Sequence, residues 1–76
     1  MSVVKFYDKY SYKIESLPVV SYKDIGFDEK IPTVIYDGKE ITAHLACCYL
    51  SGLDVTKMHA EGRLPEEFAT VTYEVV

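Results

Sequence analysis

Apolar residues alternate with polar ones near both ends of the chain. The alternating apolar positions are Val4 and Phe6, then Tyr10, Tyr12 and Ile14, and finally Val71, Tyr73 and Val75. A period of two is typical of β-strands that bury one face. The pattern therefore predicts two strands near the start of the chain, joined by a turn at Asp8-Lys9, and a closing strand at the end.

The segment that follows the first two strands is less regular. Residues 17–20 are apolar but include Pro18, which favours an edge strand or an extended connection, because proline donates no ladder hydrogen bond. Residues 23–30 are mostly charged and contain Gly26. We predict a loop there, with Ile25 and Phe27 folded back against the protein.

Asp37-Gly38 is the strongest local signal in the sequence. Residues 33–36 and 39–42 on either side are rich in β-forming types. A two-residue type I′ turn needs positive φ at both central positions, which Asp-Gly tolerates well. The sequence therefore predicts a β-hairpin over 33–42.

Helical periodicity begins immediately after this hairpin. Apolar residues at positions 43, 46, 47 and 50 fall at i, i+3, i+4 and i+7, which places them on one helix face. Thr42 and Asp54 are suitable N-caps, and Gly52 and Gly62 are suitable helix ends. We predict helices at about 43–51 and 54–61, followed by a further helical turn that starts at Pro65.

The predicted fold is one α+β domain over residues 1–76. It has a small antiparallel sheet that includes the 33–42 hairpin, two short helices packed on one face, and a C-terminal strand. The chain has 76 residues, of which 49% are hydrophobic. A core of this size gives marginal stability, so a homodimer or a bound partner that completes the core is compatible with the sequence.

The net charge of -4 bears on the kind of partner. Residues 41–76 carry only Lys57 and Arg63 as bases and are rich in Asp and Glu. Non-specific nucleic-acid binding needs Lys and Arg to neutralise phosphates, whereas an acidic surface favours a basic partner. The chain start lacks signal-peptide features and no stretch is long enough for a membrane span, so we expect a cytoplasmic protein.

Four side chains could form a reactive or metal-binding set: His44, Cys47, Cys48 and His59. They could hold zinc in tetrahedral geometry, or supply a Cys/His nucleophilic pair. Their spacing matches no standard zinc module, and buried cysteine often serves as a small hydrophobic residue. The sequence contains no phosphate-binding or hydrolase motif. We therefore expect no enzymatic activity, no cofactor and no metal, and keep a zinc-stabilised domain as an alternative.

Tyrosines are the most distinctive part of the composition. The chain has seven, and four lie in its first third: Tyr7, Tyr10, Tyr12 and Tyr22. Tyrosine gives a large contact area at low entropic cost and is enriched in interfaces. We predict that these four include partner-binding residues. In the alternative interpretation, Tyr10 and Tyr12 line the inner face of the sheet with their hydroxyls at its rim.

Residues 41–68 resemble the helix-turn-helix of bacteriophage regulators of the excisionase and antirepressor type. The matching residues are Ile41, Thr42, Leu45, Ala46, Thr56, Glu61, Gly62, Arg63, Leu64, Pro65, Glu66 and Phe68. The resemblance implies a regulator whose second helix reads DNA. In this chain that helix is about one turn shorter and carries few basic residues.

The sequence therefore favours two functions. The first is a non-enzymatic regulatory or inhibitory protein, phage- or virus-encoded, that acts by binding another protein. The second is a small DNA-binding regulator that uses Thr56, Lys57, His59 and Arg63.

Overall fold

The computed structural model describes residues 2–76 and has the predicted α+β architecture. Its strands are β1 (Val3–Tyr7), β2 (Lys13–Pro18), β3 (Ser21–Gly26), β4 (Glu29–Tyr36), β5 (Lys39–Thr42) and β6 (Thr72–Val75). Its helices are α1 (Ala43–Leu50), α2 (Val55–Ala60) and a 3-10 helix over Pro65–Glu67. No helix within residues 2–76 is both long enough and apolar enough to cross a membrane.

The strands form two three-stranded antiparallel sheets. The strand orders are β2-β1-β6 and β3-β4-β5. Residues 19–20 join the sheets: the Val19 N–H donates to the Ser2 carbonyl at 3.0 Å, and the Val20 N–H donates to the Thr33 carbonyl at 2.8 Å. Residues 17–20 therefore combine both predicted roles, because Pro18 ends an edge strand and the two valines form an extended connection.

The 33–42 hairpin is confirmed. Its strands pair from Thr33 with Thr42 to Tyr36 with Lys39. Asp37 and Gly38 have φ values of 50° and 77°, as a type I′ turn requires.

The loop predicted over residues 23–30 is wrong. β3 and β4 form a second hairpin there, with Asp24 paired to Lys30 and a two-residue turn at Phe27-Asp28. Charged residues suit this position because all six residues of β3, an edge strand, are exposed. Phe27 is not folded back against the protein: it is fully exposed at the turn.

The predicted extent of the second strand is also wrong. Tyr10 and Tyr12 lie in the turn between β1 and β2, and the strand begins at Lys13. The reason is local, since the Asp8 carboxylate accepts hydrogen bonds from the backbone of both tyrosines. The turn is therefore longer than the predicted Asp8-Lys9 pair.

Helix α1 connects the two sheets through the core. It packs against β4 and β5 of one sheet and β6 of the other. The buried cluster consists of Val4, Phe6, Val34, Ala43, Ala46, Cys47 and Val71. Full burial of a side chain such as Val4 or Phe6 contributes about 1.5–3 kcal/mol. The core therefore depends on both sheets being held against one helix.

Candidate interaction surface at the hairpin tips

The turn between β1 and β2, residues 8–12, is fixed by its first residue. Asp8 Oδ1 accepts the N–H groups of Tyr10 at 2.8 Å and Tyr12 at 3.0 Å. The Asp8 N–H donates to the Tyr12 carbonyl at 2.9 Å, and its carbonyl accepts the Ser11 N–H at 3.0 Å. Ser11 has a φ of 68°, which closes the turn. We call residues 8–12 the tyrosine tip.

The tyrosine tip presents two large side chains to solvent. Tyr10 is 70% exposed and Tyr12 is 71% exposed. The Lys9 ammonium lies 5.2 Å from the centre of the Tyr10 ring, within the range of a cation–π contact. The alternative interpretation, in which these two tyrosines line the inner face of a sheet, is wrong because neither belongs to a strand or to the core.

The other two tyrosines predicted to bind a partner lie elsewhere. Tyr7 is half-buried on β1, and burial together with the negative charge of Glu74 raises the pKa of its phenol. Tyr22 is 51% exposed on the edge strand β3. β2 runs back from the tyrosine tip before β3 begins, so the structure brings Tyr10 and Tyr12 together but does not place Tyr22 in their turn.

The turn between β3 and β4 carries candidate contact residues that were not predicted from the sequence. Phe27 is fully exposed and has a φ of 50°, and Asp28 has a φ of 61°. A bulky residue at positive φ is uncommon and costs about 1–3 kcal/mol. Ile25 nearby is 46% exposed. Because an apolar, strained residue at a hairpin tip has no folding advantage, Phe27 is a second candidate for partner contact.

The structure brings His44 and Cys47 to the same cavity but does not gather all four cysteines and histidines into one site. Cys47 and Cys48 are buried, whereas His44 and His59 are exposed and border different cavities. Burial, with a smaller effect of Cys48, raises the pKa of the Cys47 thiol to about 11. Within residues 2–76, no group of three or more His, Cys, Asp or Glu side chains is arranged to hold a metal ion.

The residues predicted to contact DNA lie on and after α2. Thr56, Lys57 and His59 are exposed on this helix. Arg63 is already engaged, because its guanidinium lies 3.5 Å from the Glu61 carboxylate and 4.9 Å from the centre of the Phe68 ring. Lys57 and His59 are therefore the nitrogen-bearing side chains that α2 itself presents to solvent.

Comparison of the chain with protein-family models, curated proteins and solved structures gives no significant match. The function of this chain is therefore inferred from its own geometry. Exposed tyrosines on a turn with a fixed backbone are suited to protein contact, because each ring gives a large contact area and little backbone entropy remains to be lost on binding.

Proposed function

We propose that this chain is a non-enzymatic regulatory or inhibitory protein that acts in the cytoplasm by binding another protein. Its primary contact is the tyrosine tip, and Phe27 and Tyr22 on the second hairpin are separate candidates for partner contact. A phage or virus as its source is supported by the resemblance of residues 41–68 to phage regulators.

The observation that carries this proposal is the exposure of Tyr10 and Tyr12 on a turn whose backbone is held by Asp8. Four hydrogen bonds hold the backbone of the turn, two to the Asp8 carboxylate and two to the Asp8 main chain, so binding does not have to order the backbone that carries the two tyrosines. Interface energy is concentrated in a few anchors, of which tyrosine is among the commonest types. Two adjacent anchors on one rigid turn meet this description.

DNA binding by α2 is the second candidate. The exposed row of Thr56, Lys57 and His59 favours it. The acidic balance of residues 41–76 weighs against it, because phosphate contacts supply most of the non-specific affinity for DNA.

The proposal is tested by capture followed by a direct affinity measurement. Tagged protein is used to capture a partner from a candidate host lysate, and the purified partner is then titrated with wild type and with the double variant Tyr10→Ala/Tyr12→Ala. Loss of one or two anchors should weaken binding by about 30-fold or more, equivalent to roughly 2 kcal/mol. The thermal midpoint should stay close to that of wild type, because both side chains are exposed.

Lys57→Ala serves as the matched control, since it changes an exposed side chain on the other candidate surface. If Lys57→Ala lowers affinity for duplex DNA at near-cellular salt, while the tyrosine variant retains its partner, DNA binding replaces the proposal. If the tyrosine variant and wild type bind the partner equally, the tyrosine tip is not the contact.

A further inference from the structure

A cavity lies between α1, the 3-10 helix and β6. Its volume is about 420 Å³, which is within the range of ligand-binding pockets. Its lining consists of His44, Cys47, Glu66, Ala69, Val71, Thr72 and Tyr73. Neither the proposed protein contact nor the DNA alternative uses these residues.

The floor of the cavity is apolar. Cys47 is 5% exposed and Val71 is 6% exposed, and Ala69 lies beside them in the lining. With a pKa of about 11, the Cys47 thiol carries no charge near neutral pH, so it acts as an apolar surface and not as a nucleophile or thiolate ligand. A floor of this kind suits the methylene stem of a long side chain.

The rim of the cavity is polar. Glu66 is the one acidic residue of the lining. The only ion pair found within residues 2–76 joins Arg63 to Glu61, so it does not involve Glu66. On the other side, the Tyr73 hydroxyl and His44 Nε2 lie 3.2 Å apart, and their rings are 5.4 Å apart. Tyr73 therefore offers an aromatic surface, and Glu66 offers a negative charge, to the same space.

The lining has one carboxylate and no lysine or arginine, and its histidine, His44, is within hydrogen-bond distance of the Tyr73 hydroxyl, so the lining favours a cationic ligand over an anionic one. A cation with an aliphatic stem fits both parts: the stem packs on the floor while the charged head meets the carboxylate and the aromatic ring. We propose that this cavity binds an arginine or lysine side chain of the partner protein, with Glu66 as the ion-pair acceptor.

This inference rests on the proposed function, but its test does not need the partner. Acetyl-arginine amide and acetyl-lysine amide are titrated into the full chain and followed by amide NMR shifts. Acetyl-citrulline amide is the matched neutral probe. We expect saturable shifts around His44, Cys47 and residues 71–73 with the two cationic probes, and at least several-fold weaker binding of the citrulline probe.

Glu66→Gln should weaken the cationic probes by about fivefold, as expected for loss of one partly exposed charge pair. Glu67→Gln is the control, since Glu67 has the same charge, is exposed next to Glu66 in the 3-10 helix and does not line the cavity. Equal binding of the citrulline probe, or an equal effect of both glutamate variants, would overturn the proposal.

A separate measurement tests whether the ligand of the cavity belongs to a partner protein. If putrescine binds the cavity much more tightly than the arginine probe, a free amine and not a protein side chain is the ligand, and the partner assignment is wrong. In a complex with an identified partner, loss of binding on Tyr10→Ala/Tyr12→Ala but not on Glu66→Gln would overturn this inference and leave the proposed function intact.

Discussion

Cys47 shows how burial decides the role of a reactive residue type. Its thiol lies among Val4, Phe6 and Val34 in the core, and its elevated pKa suppresses the thiolate. The sequence could place Cys47 on the apolar face of a helix, because the spacing of apolar residues is local information. It could not show that His44 and His59 border different cavities, because that depends on how α1 and α2 pack.

The Cys47 pKa leads to a prediction for alkaline pH. The fold favours the neutral thiol, so this stabilisation is complete below the ordinary pKa of 9.0 and is lost as the pH rises to about 11. We expect the free energy of unfolding to fall by roughly 2 kcal/mol more in wild type than in Cys47→Ser between pH 8.5 and 11, on the basis of ~1.4 kcal/mol per pKa unit. Urea unfolding at each pH measures this difference, and parallel curves for the two proteins would contradict it.

Phe27 provides a second prediction at the residue scale. Asparagine adopts positive φ more readily than phenylalanine, so Phe27→Asn should stabilise the fold by about 1 kcal/mol while weakening partner binding. Phe68→Asn is the comparison, because Phe68 is a partly exposed phenylalanine with a φ of -111°. It should give no such stabilisation. Thermal unfolding of the two variants decides this, and a destabilised Phe27→Asn would show that the ring contributes to folding.

At the scale of elements, the three hairpin turns differ in how well the sequence predicts them. Asp37-Gly38 was predictable because glycine marks a position with positive φ. The turns at residues 8–12 and 27–28 place the non-glycine residues Ser11, Phe27 and Asp28 at positive φ, and the one glycine near them, Gly26, precedes its turn instead of lying within it. They are set by the Asp8 carboxylate in one case and by strand pairing in the other, so both were misassigned. The helix ends were predictable, because Thr42 and Asp54 cap α1 and α2 through local hydrogen bonds.

The conformation of the tyrosine tip should depend on Asp8 more than on the residues next to it. Asp8→Ala removes the acceptor of two backbone hydrogen bonds, so we expect a loss of about 1 kcal/mol in the free energy of unfolding. Partner affinity should also fall, because Tyr10 and Tyr12 are then no longer held in place. Lys13→Ala is the control, because Lys13 is exposed at the start of β2, next to the turn, and its side chain makes none of the turn's hydrogen bonds. Equal partner affinity of Asp8→Ala and wild type would mean that the turn is not required in its fixed form.

At the scale of the whole molecule, α1 determines the arrangement of the two sheets. The sequence indicated an α+β fold with antiparallel strands, and this is confirmed. It did not indicate the division into two sheets, because no local signal reports that β1 pairs with β6 near the far end of the chain. The same limit applies to the cavity beside Glu66, which α1, the 3-10 helix and β6 form only after folding.

The tyrosine tip and the Phe27-Asp28 turn are largely exposed, whereas α2 packs beside the 3-10 helix. The tyrosine tip and α2 are therefore distinct surfaces of one small molecule. The protein-binding proposal and the DNA-binding alternative can be separated by asking which of these surfaces touches another macromolecule in a cell.

Site-specific photo-crosslinking makes that measurement directly. A benzophenone amino acid replaces Tyr12 in one variant and Lys57 in another, and both are irradiated in cells of the host. The account predicts a discrete protein adduct from position 12 and none from position 57. An adduct to nucleic acid from position 57, with no protein adduct from position 12, would contradict it.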